Sequence, residues 1–333
     1  MISVAMTTYN GYGKDGLYLR KQIDSILEQT YKDFELIICD DNSSDSTYEF
    51  LFENYASRDA RIKLYKNKNN LGFKKNFEQA ISLCSGDYIA LSDQDDIWLP
   101  WKLEESLRML KNYDLVCSNS KLINELDEYL GYTMKESVGY CYVPKNKKIC
   151  FKFLLYKNFV QGSTLLGKRE FLQKCIPIPD NFEYHDRYFA LRACLENGIC
   201  YIDKPSILYR QHTGQVTENK KAESFNKQVL KAFSKKSELE GNNFLKYTQV
   251  RLDFLKNVKT LPELHELSNE KYLDYVIQYE NYLEKMKVLN KDFSTFIYFC
   301  INYQQFFLDK SLIKKSIRII RRFLGWVVYV LSN

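Results

Sequence analysis

The first 117 residues alternate short apolar runs with amphipathic helical spacings, and this rhythm constrains the fold more than any other feature of the chain. Residues 2–6, 34–39, 62–65, 88–91 and 115–117 read as strands, and residues 17–27, 47–55, 73–84 and 99–111 read as helices. Strands separated by helices of this length predict an α/β fold built on a largely parallel sheet. Right-handed crossovers then bring the carboxyl ends of the strands to one edge, where open sheets of this kind bind their ligands.

Three of those strand ends carry polar clusters: Thr7-Thr8-Tyr9-Asn10, Asp40-Asp41-Asn42-Ser43 and Ser92-Asp93-Gln94-Asp95-Asp96. Taken singly, each is compatible with an ordinary turn or helix cap, with Ser43 to Asp45 capping the helix that follows. The third is the most informative, because three carboxylates within four positions repel one another and call for a compensating charge. A hard divalent cation, Mn2+ or Mg2+, is the expected compensation, since such ions sit on one or two carboxylates and complete their shell with substrate phosphates. That chemistry points to a nucleotide diphosphate. The alternative is a solvated acidic turn in which Asp96 caps a helix beginning near Leu99, with Pro100 in its first turn.

Other sequence features narrow the class. No Gly-x-Gly-x-x-Gly follows the first strand and no Gly-x-x-x-x-Gly-Lys-Ser/Thr occurs, which disfavours dinucleotide oxidoreductases and P-loop enzymes. Nine cysteines without Cys-x-x-Cys spacing suggest neither a disulfide framework nor a zinc site, so reduced, mostly buried thiols are expected. The net charge of +6 is not accompanied by a basic and aromatic nucleic-acid module, and no nucleic-acid partner is expected. The beginning of the chain shows no basic leader, and no run approaches the roughly 20 apolar residues of a membrane span, so a cytoplasmic catalytic portion is expected.

Four motifs in order carry a family resemblance. Residues 3–10 (Ser-Val-Ala-Met-Thr-Thr-Tyr-Asn), 25–31 (Ser-Ile-Leu-Glu-Gln-Thr-Tyr) and 34–43 (Phe-Glu-Leu-Ile-Ile-Cys-Asp-Asp-Asn-Ser) resemble the N-terminal half of a family 2 glycosyltransferase, and residues 92–98 resemble the metal motif of its bacterial rhamnosyltransferase-like, polysaccharide-building members. The resemblance covers about residues 1–215 and implies a GT-A fold and an inverting, metal-dependent glycosyltransferase (a hexosyltransferase) acting on a nucleotide-sugar donor. Matched by position, it implies that Thr7 and Asp41 contact the nucleotide base, Tyr9 stacks nearby, Asp93 touches the ribose or donor, and Asp95 ligates the metal. Asp96 is left to cap the next helix or to support the metal indirectly. Lys74, at a helix start, is a candidate for the phosphates or else a solvated surface lysine.

In the second half, residues 159–166 (Phe-Val-Gln-Gly-Ser-Thr-Leu-Leu) resemble the family segment lining donor sugar and acceptor, with Gln161 and Gly162 on the donor side. Tyr184-His185-Asp186-Arg187 opens a helix at the place where inverting members carry their catalytic base, which makes Asp186 the candidate base and His185, Arg187 and Trp98 candidates for the acceptor. Where the rhamnosyltransferase-like pattern has Trp after His-Asp, this chain has Arg187, a departure that bears on the identity of sugar and acceptor. Arg210-Gln211-His212 resembles the segment that closes such sites, with His212 on the metal or diphosphate and Arg210 on phosphate or in a structural ion pair.

From about residue 218 the character changes, dividing the chain into a 1–217 catalytic domain and a 218–333 helical module. Its end gathers Lys310, Lys314, Lys315, Arg318, Arg321 and Arg322 among Ile313, Ile317, Ile320 and Leu324, followed by Trp326 and Tyr329. Basic and apolar residues so interleaved suit a helix lying on an anionic membrane surface, here the inner face of the cell membrane; a core-packing or homodimer helix is the alternative. The expected reaction is therefore transfer of a sugar from a dTDP-rhamnose or UDP-hexose type of donor to a growing, lipid-linked surface glycan. A catalytically inactive nucleotide-sugar-binding protein and a membrane assembly subunit are the other classes that fit.

Overall fold

A computed structural model describes residues 1–138, 143, 146–155, 158–212, 253–261 and 277. The chain divides into two compact units, Met1–Ala222 and Glu223–Asn333. In the second unit residues 253–259 are helical. The helical spacings at 225–233 and, apart from Ile277, at 272–286, together with the basic tail 310–333, lie outside the described residues.

The first unit is an α/β fold of the expected kind. Strands β1 (Ile2–Thr8), β2 (Phe34–Asp40), β3 (Ile62–Lys66) and β4 (Tyr88–Ser92) alternate with helices α1 (Leu17–Leu27), α2 (Thr47–Leu51) and α3 (Phe73–Leu83). The second half adds β5 (Ile97–Trp98), α4 (Lys102–Leu110), β6 (Leu115–Ile123), β7 (Tyr129–Thr133), α5 (Met134–Val138), α6 (Lys147–Leu154), β8 (Leu166–Lys168), α7 (Arg169–Lys174), α8 (His185–Leu195) and β9 (Ile199–Arg210). Among the described residues they form a nine-stranded sheet in the order β3-β2-β1-β4-β8-β6-β9-β5, with β7 also on β6. The first four strands are mutually parallel, whereas β8 runs antiparallel between β4 and β6.

Every residue of β1 and β2 is buried, because helices cover both faces, and this explains their unbroken apolar reading. Leu19, Ile23 and Ile26, spaced by helical turns, bring α1 onto the core. Each such fully buried aliphatic side chain contributes roughly 1.5–3 kcal/mol. Two glycines are required by this packing. Gly16 adopts a left-handed φ of 72° with the Phe50 ring 2.9 Å from where a Cβ would sit, and a Cβ at Gly86 would meet the Ser3 nitrogen at 2.8 Å.

Two expected boundaries are corrected. The helix expected from Leu99 begins at Lys102, because Ile97 and Trp98 pair with Leu208 and Ile207 of β9 and the Leu99 N–H donates to Ser206, keeping that stretch extended. The sequence also reads as two strand-like runs at 200–202 and 207–209, and these are one continuous strand, β9, which pairs with β6 across register shifts at Asn119. Among the described residues Cys39, Cys84, Cys117, Cys150, Cys175, Cys194 and Cys200 are free thiols, all but the last buried.

Candidate active site

The three polar clusters meet at the carboxyl edge of the sheet. Parallel pairing sets Thr8 beside Asp40 and Met6 beside Ser92. Beyond the strands, side chains knit the loops together. Thr8 Oγ1 and Ser43 donate to the Asp40 carboxylate, and Asn10 N donates to Ser43 Oγ at 2.9 Å. Tyr9 N donates to Gln94 Oε1 at 2.9 Å while Gln94 Nε2 donates back to the Tyr9 carbonyl at 3.2 Å. Asn10 and Asn42 turn these loops sharply with φ of 46° and 59°, a region asparagine tolerates better than most residues. The Tyr9 ring stands out 48% exposed at this edge, whereas Thr7 is buried beside it.

The acidic loop sends its neighbouring carboxylates in opposite directions. Asp95 Oδ2 lies 2.8 Å from His212 Nε2, so residues 117 positions apart share one polar contact. Asp96 is fully buried and turns inward, accepting from the Arg210 backbone N–H at 3.1 Å. Burial, reinforced by the charges of Asp95 and then Asp186, raises the Asp93 carboxyl above the ordinary range. Asp93 thus lies in the field of both the acidic loop and the helix that carries Asp186.

Asp186 occupies the first turn of α8, where the helix dipole favours an anion. Asn158 Nδ2 donates to its Oδ1 at 3.2 Å and the Arg187 N–H at 2.5 Å. Burial outweighs these bonds and raises its pKa to about 6, a value at which a carboxylate is ionised at neutral pH yet a stronger base than an exposed one. The His185 ring beside it is buried 4.3 Å from the Phe77 ring, and burial lowers its pKa to about 3.

The sequence matches the model of glycosyl transferase family 2 over residues 3–175, more than half of the chain. The chain belongs to that family. An Escherichia coli protein described as a UDP-Glc:alpha-D-GlcNAc-diphosphoundecaprenol beta-1,3-glucosyltransferase, WfgD, is 30% identical over 66% of this chain and 81% of its own length. An uncharacterised glycosyltransferase of Methanocaldococcus jannaschii is 34% identical over 54% of this chain, and the match spans 62% of that protein. Among solved structures, Staphylococcus aureus TarS 1–349 in complex with UDP-GlcNAc superposes with a TM-score of 0.52 at 16% identity, covering 92% of this chain and 79% of that one, a likeness of fold.

In the first unit Asp95 meets His212 and the charges of Asp95 and Asp186 both act on Asp93, whereas several other candidates have different work. Trp98 is buried and so presents no face to an acceptor. His185 fills an aromatic box with Phe73, Phe77 and Phe189, and neither ring nitrogen has a hydrogen-bond partner among the described residues. Gly162 makes room for it, since a Cβ there would meet His185 Nε2 at 2.7 Å; no sugar is needed to explain that glycine. Arg187 donates through Nε and Nη2 to the Leu154 carbonyl, tying α8 to α6. Lys74 donates to the carbonyls of Asp180 and Phe182, so it is a strut to the loop before α8, neither a phosphate ligand nor a solvated lysine. Arg210, fully buried, pairs with Asp127 and lies over the Tyr18 ring at 4.1 Å, which settles it as a structural ion pair. Asp96 caps no helix. Asp41 accepts from Asn67 Nδ2, Leu71 N and Gly72 N at 2.8 Å each, so it shapes the loop before α3. Gln161 is buried, its Oε1 taken by Ser120 Oγ at 2.7 Å.

Reading the sequence missed Gln94, Asn158, Tyr18 and Lys102. Gln94 sits inside the acidic motif and was passed over for its charged neighbours. Tyr18 contacts both Arg210 and, at 5.7 Å, the His212 ring. The signal for Lys102 was its spacing, four residues after Trp98 and six after Asp96.

Proposed function

We propose that this family 2 glycosyltransferase moves a sugar, with inversion, from a nucleotide-diphosphate donor to a hydroxyl of a growing surface glycan. The supporting observation is the sharing of one sheet edge by the Asp95–His212 contact and Asp186, with Asp93 in the field of both. Transfer with inversion needs a base on one side of the anomeric carbon and a stabilised diphosphate leaving on the other. Asp186 takes the proton from the attacking acceptor hydroxyl; Asn158 and the Arg187 N–H hold its carboxylate in place. Tyr9 offers an exposed ring on which a base stacks at the end of β1.

A carboxylate and an imidazole 2.8 Å apart suit Mn2+ or Mg2+. Among the described residues no group of three or more such side chains is arranged around one point, which fits an ion whose remaining ligands are diphosphate oxygens and water. Bound there, it would supply positive charge to the departing diphosphate. Asp95 and His212 are the residues that hold it, and Arg210 steadies the loop through its Nε bond to the Asp95 carbonyl at 2.8 Å.

WfgD, as its name states, uses UDP-Glc and a diphosphoundecaprenol-linked acceptor, which supports a UDP-hexose and a lipid-linked glycan here; the rhamnosyltransferase-like form of residues 92–98 supports dTDP-rhamnose. No helix among the described residues is long and apolar enough to cross a membrane, and contact with an anionic inner membrane face is assigned to 310–333. A panel of nucleotide sugars with Mn2+ or Mg2+, scored by released nucleotide diphosphate and by thermal shift, tests the reading. Donor-dependent release that Asp186→Asn abolishes while keeping donor binding supports it; binding without release for every donor, in wild type and variant alike, replaces it with the inactive binding protein.

A further inference from the structure

Lys102 is the one lysine among the described residues that is fully enclosed, with 0% exposure. Its ammonium stands 3.3 Å from the centroid of the Trp98 ring and has no hydrogen-bond partner among the described residues. Burial pushes the Lys102 pKa well below the usual lysine range, and the Asp96 carboxylate, also at 0% exposure, acts against that shift. The frame around the pair is rigid. Trp98 N donates to Ser25 Oγ at 2.9 Å, Leu99 N to the Ser206 carbonyl at 2.9 Å, and Leu103 N to Gln29 Oε1 at 3.0 Å.

An ammonium taken out of water is costly, and a methionine of similar length would fill the same space without that cost. Packing therefore does not explain a lysine at this position. Two features do: an aromatic face, which attracts a desolvated cation, and an opposing carboxylate on the loop that carries Asp95. We propose that Lys102 is a positioning residue for the acidic loop: laid on Trp98 and opposed by Asp96, it holds the loop from behind so that Asp95 stays against His212. The ion-binding consequence rests on the proposed function; the positioning does not.

The experiment uses the full chain and the variants Lys102→Met and Asp96→Asn/Lys102→Met. The side-chain 15N signals of the three histidines, 185, 212 and 265, are recorded without metal, and MnCl2 is titrated in the presence of UDP or dTDP. Lys102→Met should shift the His212 signal, weaken Mn2+ uptake by about 10- to 100-fold and lower kcat in step, with KM for the donor changing less. A His212 signal and an Mn2+ titration that both match wild type overturn the proposal, as does a lowered melting temperature with the His212 signal unmoved. If Lys102→Met does not fold, the double variant, which removes both charges, decides on the same two signs. Should wild type take up no Mn2+, the metal assignment fails separately, and the His212 signal still decides for or against Lys102.

Discussion

Glu35, buried at the amino end of the sheet, and Asp93 and Asp186, half-buried at its carboxyl end, are carboxylates treated oppositely. At the amino end, Glu35 accepts from Ser3 Oγ, Ser85 N, Ser85 Oγ and Lys63 Nζ at 2.6–2.8 Å. Burial alone would raise its pKa, but these donors outweigh it and bring the group to about 2. At the carboxyl end, Asp93 and Asp186 receive too few donors to offset burial, and both are raised. The same side-chain chemistry thus serves stability where every lone pair is met and reactivity where it is not.

The sharpest way to break this contrast is to exchange one carboxylate at each end. Asp186→Asn should lower kcat by about 10²- to 10⁴-fold, the usual worth of a positioned base, with an unchanged or higher melting temperature because a disfavoured buried charge is removed. Steady-state rates and calorimetry on the same preparation check both. Glu35→Ala should do the reverse, costing about 3 kcal/mol in urea unfolding as Ser3 Oγ–H and the N–H and Oγ–H of Ser85 lose their acceptor, while activity per folded molecule is retained.

Acidity separates the two ends more finely. Because the Glu35 pKa lies at about 2 in the fold against 4.5 as its ordinary value, its contribution is fully present above about pH 4.5 and is lost as pH falls toward 2, by about 3 kcal/mol in total. Unfolding curves from pH 5 to 2.5 should show that slope in wild type and a reduced one in Glu35→Gln. Asp186 has the opposite sign: kcat/KM should rise about tenfold per unit below pH 6 and level off above it. The smallest effect belongs to Lys63→Met, whose half-exposed ammonium should contribute less than about 1 kcal/mol.

The sequence made the parallel half of the sheet legible because β1, β2 and β4 are covered on both faces, so burial wrote itself as unbroken apolar runs. The short β5 and β8 were invisible for the opposite reason: two or three residues carry no periodicity, and their pairing comes from partners 50 or more positions away. The same limit divides the site. Asp95, His212 and Asp186 each sit in a motif whose residue types match one chemistry, which is why the sequence nominates them together. For Arg210 and Lys74 the sequence leaves alternatives open, because a cation near a phosphate motif looks the same whether it meets a ligand or, as here, an Asp127 carboxylate or backbone carbonyls; Arg187, an acceptor candidate, likewise meets a backbone carbonyl. His185 and Trp98 look polar or amphipathic by type, and only packing reveals that they are enclosed.

The reciprocal bonds between Gln94 and the Tyr9 backbone make one side-chain amide imitate the edge of a neighbouring strand. Anyone grafting the first loop of another transferase onto this scaffold to alter base preference would therefore have to transplant the acidic loop with it, since the two are stitched into a single exchangeable part.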